Sequence, residues 1–147
     1  MGKIIRPSFE HIPQIAVLLD EYRIFYNQVS DIESATRFLE DRLSRNESII
    51  FLAYENEKAV GFTQLYTSYS SVSLQPIFIL NDLYVQKNHR GSGIGEALLN
   101  KAKEFCREMR YKGLALETAI DNPAQGLYEK LGWKKDTACF HYFWTCD

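Results

Sequence analysis

A chain of 147 residues is the size of one domain, and the scaling of surface with mass gives it about 69% burial, enough for a hydrophobic core without disulfide or metal staples. With 46% hydrophobic and 24% charged residues, the composition excludes a disordered chain. Seventeen Lys and Arg against nineteen Asp and Glu leave a net charge of -2, which lacks the basic footprint that a nucleic-acid binder needs.

The longest apolar runs, residues 15–19 and 49–54, fall far short of the roughly 20 residues that cross a bilayer. Residues 1–6 carry neither a long apolar stretch nor a myristoylation pattern, so a cytoplasmic protein with no membrane partner is expected. Cys106, Cys139 and Cys146 are odd in number and lack zinc-ligand spacing, so neither a disulfide framework nor a metal site is expected.

In chain order, residues 3–6 predict a short strand before Pro7. Ser8 is then placed to cap a helix whose apolar residues, Ile12, Ile15, Ala16, Leu19, Tyr22 and Tyr26, recur at helical spacing to about Asn27. Ser30-Asp31-Ile32-Glu33 has the form of a capping box and opens a second helix with Ala35, Phe38, Leu39 and Leu43 on one face. Residues 48–54 and 59–66 predict an antiparallel hairpin closed by the four residues 55–58. Residues 67–75, rich in Ser and Tyr, read as the most loop-like part of the chain. Residues 77–85 predict a central strand interrupted by the polar pair Asn81-Asp82.

After a basic turn, residues 86–90, the triplet Gly91, Gly93 and Gly95 leads into a long amphipathic helix ending near Arg110, with Gly113 as its C-cap. Leu114, Leu116 and Thr118 start the next strand, which makes residues 77–118 a βαβ unit. Asn122 and Pro123 are placed as N-cap and first residue of a short helix that stops at Gly132. Residues 133–135 and 137–144 then complete the sheet as one or two strands.

A glycine turn between strand and helix brings backbone amides close to a ligand and suits a phosphate. Glu96 stands where a dinucleotide fingerprint needs its third glycine, and the Gly-Lys-Ser/Thr of a P-loop is missing. What remains is Arg-x-x-Gly-x-Gly, here Arg90, Gly91, Ser92, Gly93, Ile94 and Gly95, beside the plainer reading of a tight turn before an ordinary helix.

This string resembles the pyrophosphate-binding turn of the GNAT family of acetyl-CoA-dependent N-acetyltransferases, and the resemblance covers nearly the whole chain. The strand before it, Leu83, Tyr84 and Val85, is similar to the family's bulged strand, whose backbone pairs with the pantetheine arm and polarises the thioester carbonyl. The string from Asn122 to Trp133 looks like the family's second cofactor-contacting helix, with Asn122 beside the cofactor arm. The resemblance implies a mixed α/β fold: a mostly antiparallel sheet of six to seven strands, splayed at its centre and flanked by about four helices, in one domain spanning residues 1–147. It also implies acetyl-CoA as cosubstrate and a primary amine as acceptor.

Tyr128 matches the tyrosine that protonates the departing thiolate in many family members, a task that a phenol of reference pKa about 10 can perform; its alternative is a place in the apolar stripe of its helix. Leu80-Asn81-Asp82-Leu83-Tyr84-Val85 is similar to the corresponding strand of diamine and polyamine acetyltransferases, with Asn81 in place of the first acid. Asp82 is therefore either a base, directly or through a water chain, or a support of the strand bulge, since a carboxylate in an apolar strand needs a partner or a wet cleft.

Tyr22, Phe25, Tyr26, Asp31, Glu33, Tyr66 and Tyr69 could line the amine side, where an aromatic and acidic wall suits a cation. A small amine such as a polyamine or amino-acid-like amine, attacking directly in a ternary complex, is the leading reading. A peptide or protein amine and a non-catalytic CoA sensor are its rivals. Cys106 is expected on the buried helix face and Cys139 in the terminal strand, neither with a base beside it. His89 would add only to the field around phosphate, His11 is placed in the first helical turn at the surface, and Cys139-x-His141 alone does not make a zinc site. The aromatic residues 140–144 suggest a homodimer contact.

Overall fold

A computed structural model describes residues 2–146. They fall into two compact units, Met1–Glu117 and Thr118–Asp147. The first carries five strands, β1 (Lys3–Ile5), β2 (Ile49–Glu55), β3 (Lys58–Ser70), β4 (Gln75–Val85) and β5 (Leu114–Ala115), and three helices, α1 (Ile12–Phe25), α2 (Ile32–Ser44) and α3 (Ile94–Met109). The second carries α4 (Gln125–Lys130).

The strands lie in the order β1-β2-β3-β4-β5. Neighbours from β1 to β4 are antiparallel, while β4 and β5 are parallel and joined through α3. The mixed, mostly antiparallel sheet with four helices is thus the expected class, with five strands among the described residues rather than six or seven. None of the described helices is long and apolar enough to cross a membrane.

Each helix follows from its apolar stripe and its cap. Ahead of α1, a 3-10 turn at Phe9–His11 is closed when the Ser8 amide donates to Nδ1 of His11 at 3.0 Å. Ile12, Ile15, Ala16, Leu18 and Leu19 then point inward. The expected capping box shifts by one residue. Asp20 is buried and accepts from Ser30 Oγ and from the Asp31 amide, both at 2.6 Å. That carboxylate therefore fixes the α1–α2 loop and engages the Ser30 hydroxyl, so Asp31 becomes the cap of α2, accepting from the Ser34 amide.

The β2–β3 turn is two residues, shorter than expected, with Asn56 at φ 51° and Glu57 at φ 67°, the left-handed pair that matches the twist of a hairpin. Residues 67–70 are strand rather than loop. Thr and Tyr favour a pleated surface, exposure alternates from Tyr66 to Ser70, and the ladder runs from Thr67↔Phe78 to Ser70↔Gln75. Only residues 71–74 turn.

α3 stops at Arg110 in the left-handed conformation (φ 59°), not at Gly113, because Gly113 is already committed to the sheet: its carbonyl accepts from the Phe78 amide at 3.0 Å. β5 is shorter than expected, pairing only as Phe78↔Leu114 and Ile79↔Ala115. Just beyond Ile79 a bulge bends β4, which ends the parallel ladder.

The core lies on both faces of the sheet. On one, Ile15, Leu18 and Leu39 pack with Ile50, Leu52 and Phe62. On the other, the Phe105 ring of α3 sits 5.6 Å from both Phe51 and Phe78, and Tyr111 stacks on Phe78 at 4.4 Å. Phe62 is fully buried, so Phe62→Ala is expected to lower the unfolding free energy by about 3–5 kcal/mol, read from urea denaturation.

In the second unit α4 starts later than expected. Asn122 Oδ1 accepts from the Ala124 amide at 2.9 Å and closes a separate turn, leaving Ala124 as N-cap. The helix ends as expected at Gly132 (φ 97°), where the Trp133 amide returns to the Tyr128 carbonyl. The expected terminal strands are absent: Asp136 Oδ1 accepts from the Ala138 amide, which turns the chain, and residues 133–146 join no ladder. Phe140, Tyr142, Phe143 and Trp144 are each at least 80% exposed.

Candidate active site

The polar interruption of β4 is a bulge. Gln64 faces Asp82 and Leu65 faces Leu80, so Asn81 is the extra residue. Thr63 Oγ1 donates to the Asp82 carbonyl at 2.8 Å, and the Tyr22 hydroxyl of α1 donates to the Asn81 carbonyl at 3.4 Å. The Asp82 side chain is buried: Gln64 Nε2 donates to Oδ2 at 2.6 Å and Asn81 Nδ2 to Oδ1 at 3.2 Å. Behind it Ser48 Oγ donates to Gln64 Oε1 at 2.7 Å.

Burial pushes the Asp82 carboxyl up, opposed by the hydrogen bonds from Gln64, Asn81 and Tyr22. The half-buried Tyr66 phenol is pushed up as well, by burial and then by the Asp82 charge. Sequence reading missed Ser48 and Gln64. The signal was available, since Thr63-Gln64 interrupts β3 as Asn81-Asp82 interrupts β4, and two polar pairs in neighbouring apolar strands are cheapest when they meet.

Among the described residues no strand pairs with the outer edge of β4 beyond Ile79, so the backbone from Leu80 through Leu83, Tyr84 and Val85 joins no ladder on that side. Gly61 sets the inner side: a Cβ there would lie 2.8 Å from the Tyr84 carbonyl, so only glycine allows this approach of β3 to β4. The Tyr84 hydroxyl donates to Glu21 at 3.0 Å, and Gln86 Nε2 donates to the same carboxylate. Burial and Glu21 push the Tyr84 phenol up to about 12.

Arg90 is held where β4 gives way to α3. Its Nε donates to the Val85 carbonyl at 2.7 Å, and its guanidinium lies 5.7 Å from the Tyr84 ring and 6.0 Å from that of Phe25. Gly91 (φ 79°) and Gly93 (φ 90°) then turn the chain in the left-handed region, with open space where a Cβ would project. Ser92 Oγ donates to the His89 carbonyl, while the His89 ring meets Glu55 at 3.1 Å. The first α3 bond runs from the Ala97 amide to the Gly93 carbonyl, so the amides of Ile94 and Gly95 precede the ladder. A guanidinium, an open glycine turn and the first amides of a helix of 16 residues together suit a diphosphate.

The acceptor-side candidates divide. Tyr22 packs edge-on against Tyr26 at 5.0 Å and against Tyr84 at 6.0 Å, which brings it to the bulge. Phe25 leans on Arg90 instead. Asp31 caps α2, with its carboxyl held down by the Ser34 side-chain and backbone hydrogen bonds, and Glu33 pairs with Arg37 at 2.7 Å on the surface. Tyr69 is exposed on the outer part of the β3–β4 hairpin.

In the second unit Tyr128 is buried on α4, its ring 6.1 Å from Trp133, and Asn122 holds the turn before that helix. Cys106, Cys139 and Cys146 are free thiols. Burial pushes the Cys106 thiol up, and the hydrogen bond with Asp136 raises that of the exposed Cys139, which lies outside any strand. Among the described residues no group of three His, Cys, Asp or Glu side chains is gathered around a metal position.

The Acetyltransferase (GNAT) family model matches residues 15–133. The chain is 46% identical over 129 residues to the uncharacterised N-acetyltransferase YhfO of Bacillus subtilis, covering 87% of each, and 35% identical to a probable acetyltransferase of Haemophilus influenzae, covering 80% of this chain and 81% of that one. It is also similar to the crystal structure of a probable acetyltransferase, with a TM-score of 0.91 and 38% identity over 99% of this chain and 98% of the other. A family match that spans both the Arg90–Gly95 turn and the Asn122–Trp133 segment, on this sheet, makes the chain an acetyltransferase that belongs to the GNAT family.

Proposed function

We propose that the protein transfers the acetyl group of acetyl-CoA to the primary amine of a small molecule that carries a single ammonium group near an apolar or aromatic body. The reading is carried by one observation: Asp82 is a buried carboxylate with the Tyr22 hydroxyl of α1 beside it, while Asp31 and Glu33 serve as a cap and a surface pair. A polyamine has several cations to satisfy, and Glu21 is already taken by Tyr84 and Gln86.

In this reading the Gly91–Gly95 turn, with the Ile94 and Gly95 amides and Arg90, holds the pyrophosphate, and the edge of β4 at Leu83, Tyr84 and Val85 receives the pantetheine arm. Asn122 lies along that arm. Asp82 takes one proton from the acceptor ammonium, through water or the Tyr22 hydroxyl, and passes it to solvent. Tyr128 donates its phenolic proton to sulfur as the new C–N bond forms and the C–S bond breaks, and it recovers a proton from the amine nitrogen. Ammonium and acetyl-CoA thus give amide, CoA thiol and one proton. Tyr22 and Tyr26 supply the wall for the acceptor.

A peptide amine is the second reading, favoured by the hairpin arm. From Ala59 through Asn81 the chain has no charged side chain, yet Tyr69, Val72 and Leu74 near the tip are at least 76% exposed. Steady-state kinetics on phenethylamine, amino-acid amides, spermidine and short Lys peptides separates the two. The highest kcat/KM is expected with the single-cation amines; a preference for spermidine would overturn the acceptor class, and a preference for peptides would establish the second reading.

A further inference from the structure

Asp82 is the buried carboxylate at the bulge, and the groups that hold its charge are neutral: Gln64 of β3 and Asn81 of β4, with the Tyr22 hydroxyl of α1, while Tyr66 of β3 feels that charge and the Arg42 charge of α2. Its ionised form therefore depends on neutral donors. Gln64 is the shortest of these at 2.6 Å, and it is fully buried.

A glutamine amide can face either way, and an oxygen turned toward a carboxylate would repel it. The ionised Asp82 carboxylate, which only accepts, sets the orientation: Nε2 faces Oδ2, and the Ser48 hydroxyl completes the arrangement by donating to Gln64 Oε1 at 2.7 Å, which leaves Oδ1 on the side of Asn81 and Tyr22. Protonation of Asp82 at Oδ2 would remove the need for that donor, so the amide orientation and the charge on the carboxyl are coupled.

We propose that Gln64, braced by Ser48, is a positioning residue for Asp82: it fixes the carboxylate through Oδ2 and leaves Oδ1 toward the acceptor side as the proton-accepting atom. This rests on the reading of Asp82 as the base.

The test is carbon-13 NMR of the full chain labelled at aspartate Cγ, with the Asp82 signal assigned by its loss in Asp82→Asn. In the parent the signal is expected to titrate above the ordinary aspartate range. In Gln64→Leu, which removes a donor to the charged form, the midpoint is expected to rise by about one pH unit, a tenfold change in proton affinity, and in Ser48→Ala by less in the same direction. The acidic limb of kcat/KM with phenethylamine should move with it.

Should Gln64→Leu fail to fold, Ser48→Ala decides alone, with the conservative Ser48→Thr expected to restore the parent midpoint. Unmoved midpoints in the variants that fold would overturn the positioning role while leaving the base reading standing. A parent-like acidic limb and turnover in Asp82→Asn would instead overturn the base reading, and the positioning role with it, whatever the NMR midpoints do.

Discussion

Tyr128→Phe is expected to lower kcat for acetyl transfer by about a hundredfold, the low end of the range for a positioned acid, because the departing thiolate is only moderately basic. Acetyl-CoA affinity should change by no more than about twofold, since only the hydroxyl is removed and its proton matters as the C–S bond breaks. The ring packing on Trp133 is retained in the variant, so the fold of the second unit is expected to persist. Steady-state rates together with acetyl-CoA titration check both halves. An unchanged kcat would show that water or another group protonates the thiolate, and a large loss of affinity with kcat intact would make Tyr128 a binding residue.

Gly93→Asp is expected to weaken acetyl-CoA binding by about a hundredfold or more. Two effects add: φ at 90° is a conformation that side-chain-bearing residues rarely adopt, and a carboxylate is brought beside the proposed pyrophosphate site. Gly93→Asn separates them, because Asn tolerates the left-handed region at least as well as Asp but brings no charge; its loss should stay below about tenfold. The space beyond a Cβ at Gly93 is open, so neither variant should disturb the core. Calorimetry on the two variants measures the difference, and equal affinities for parent and Asp variant would remove the phosphate site from this turn.

What could be read from the sequence depended on how locally each feature is determined. The Arg90–Gly95 turn was legible because glycine is the default at positive φ and the following amphipathic helix marks where the turn must lead. The α1 and α2 stripes were legible for the same reason of periodicity. The cap of α2 was missed by one residue because Ser30 is recruited by Asp20, a contact ten residues back that no local motif encodes. The extension of β3 to Ser70 was missed because Ser-rich composition suggests a loop, whereas pairing with residues 75–78 decides the matter. The expected terminal strands are not formed, although the aromatic alternation of residues 140–144 invites them; strand formation needs a ladder partner, and a pattern alone supplies none.

The site divides along similar lines. Asp82 stood out because a carboxylate is expensive in an apolar strand. Gln64 and Ser48, which satisfy it, did not, because a cross-strand register and a strand-to-strand hydroxyl are tertiary facts. Asp31 and Glu33 show the other side of this: acidic residues at a helix start serve the helix, and here they do so as cap and as salt bridge. Phe25, read on the amine side, has its ring 6.0 Å from the Arg90 guanidinium and 5.1 Å from the Tyr26 ring, contacts that helical spacing alone does not give.

The measurement that bears most directly on the whole account is thiol release from acetyl-CoA, followed with a thiol reagent, in the presence and absence of a primary amine, with mass spectrometry of the amine. Free CoA is expected to appear only when the amine is present and in equal amount to its N-acetyl product. Binding of acetyl-CoA without thiol release across single-cation amines, polyamines and Lys peptides would contradict the account and leave a CoA-binding module that carries out no transfer.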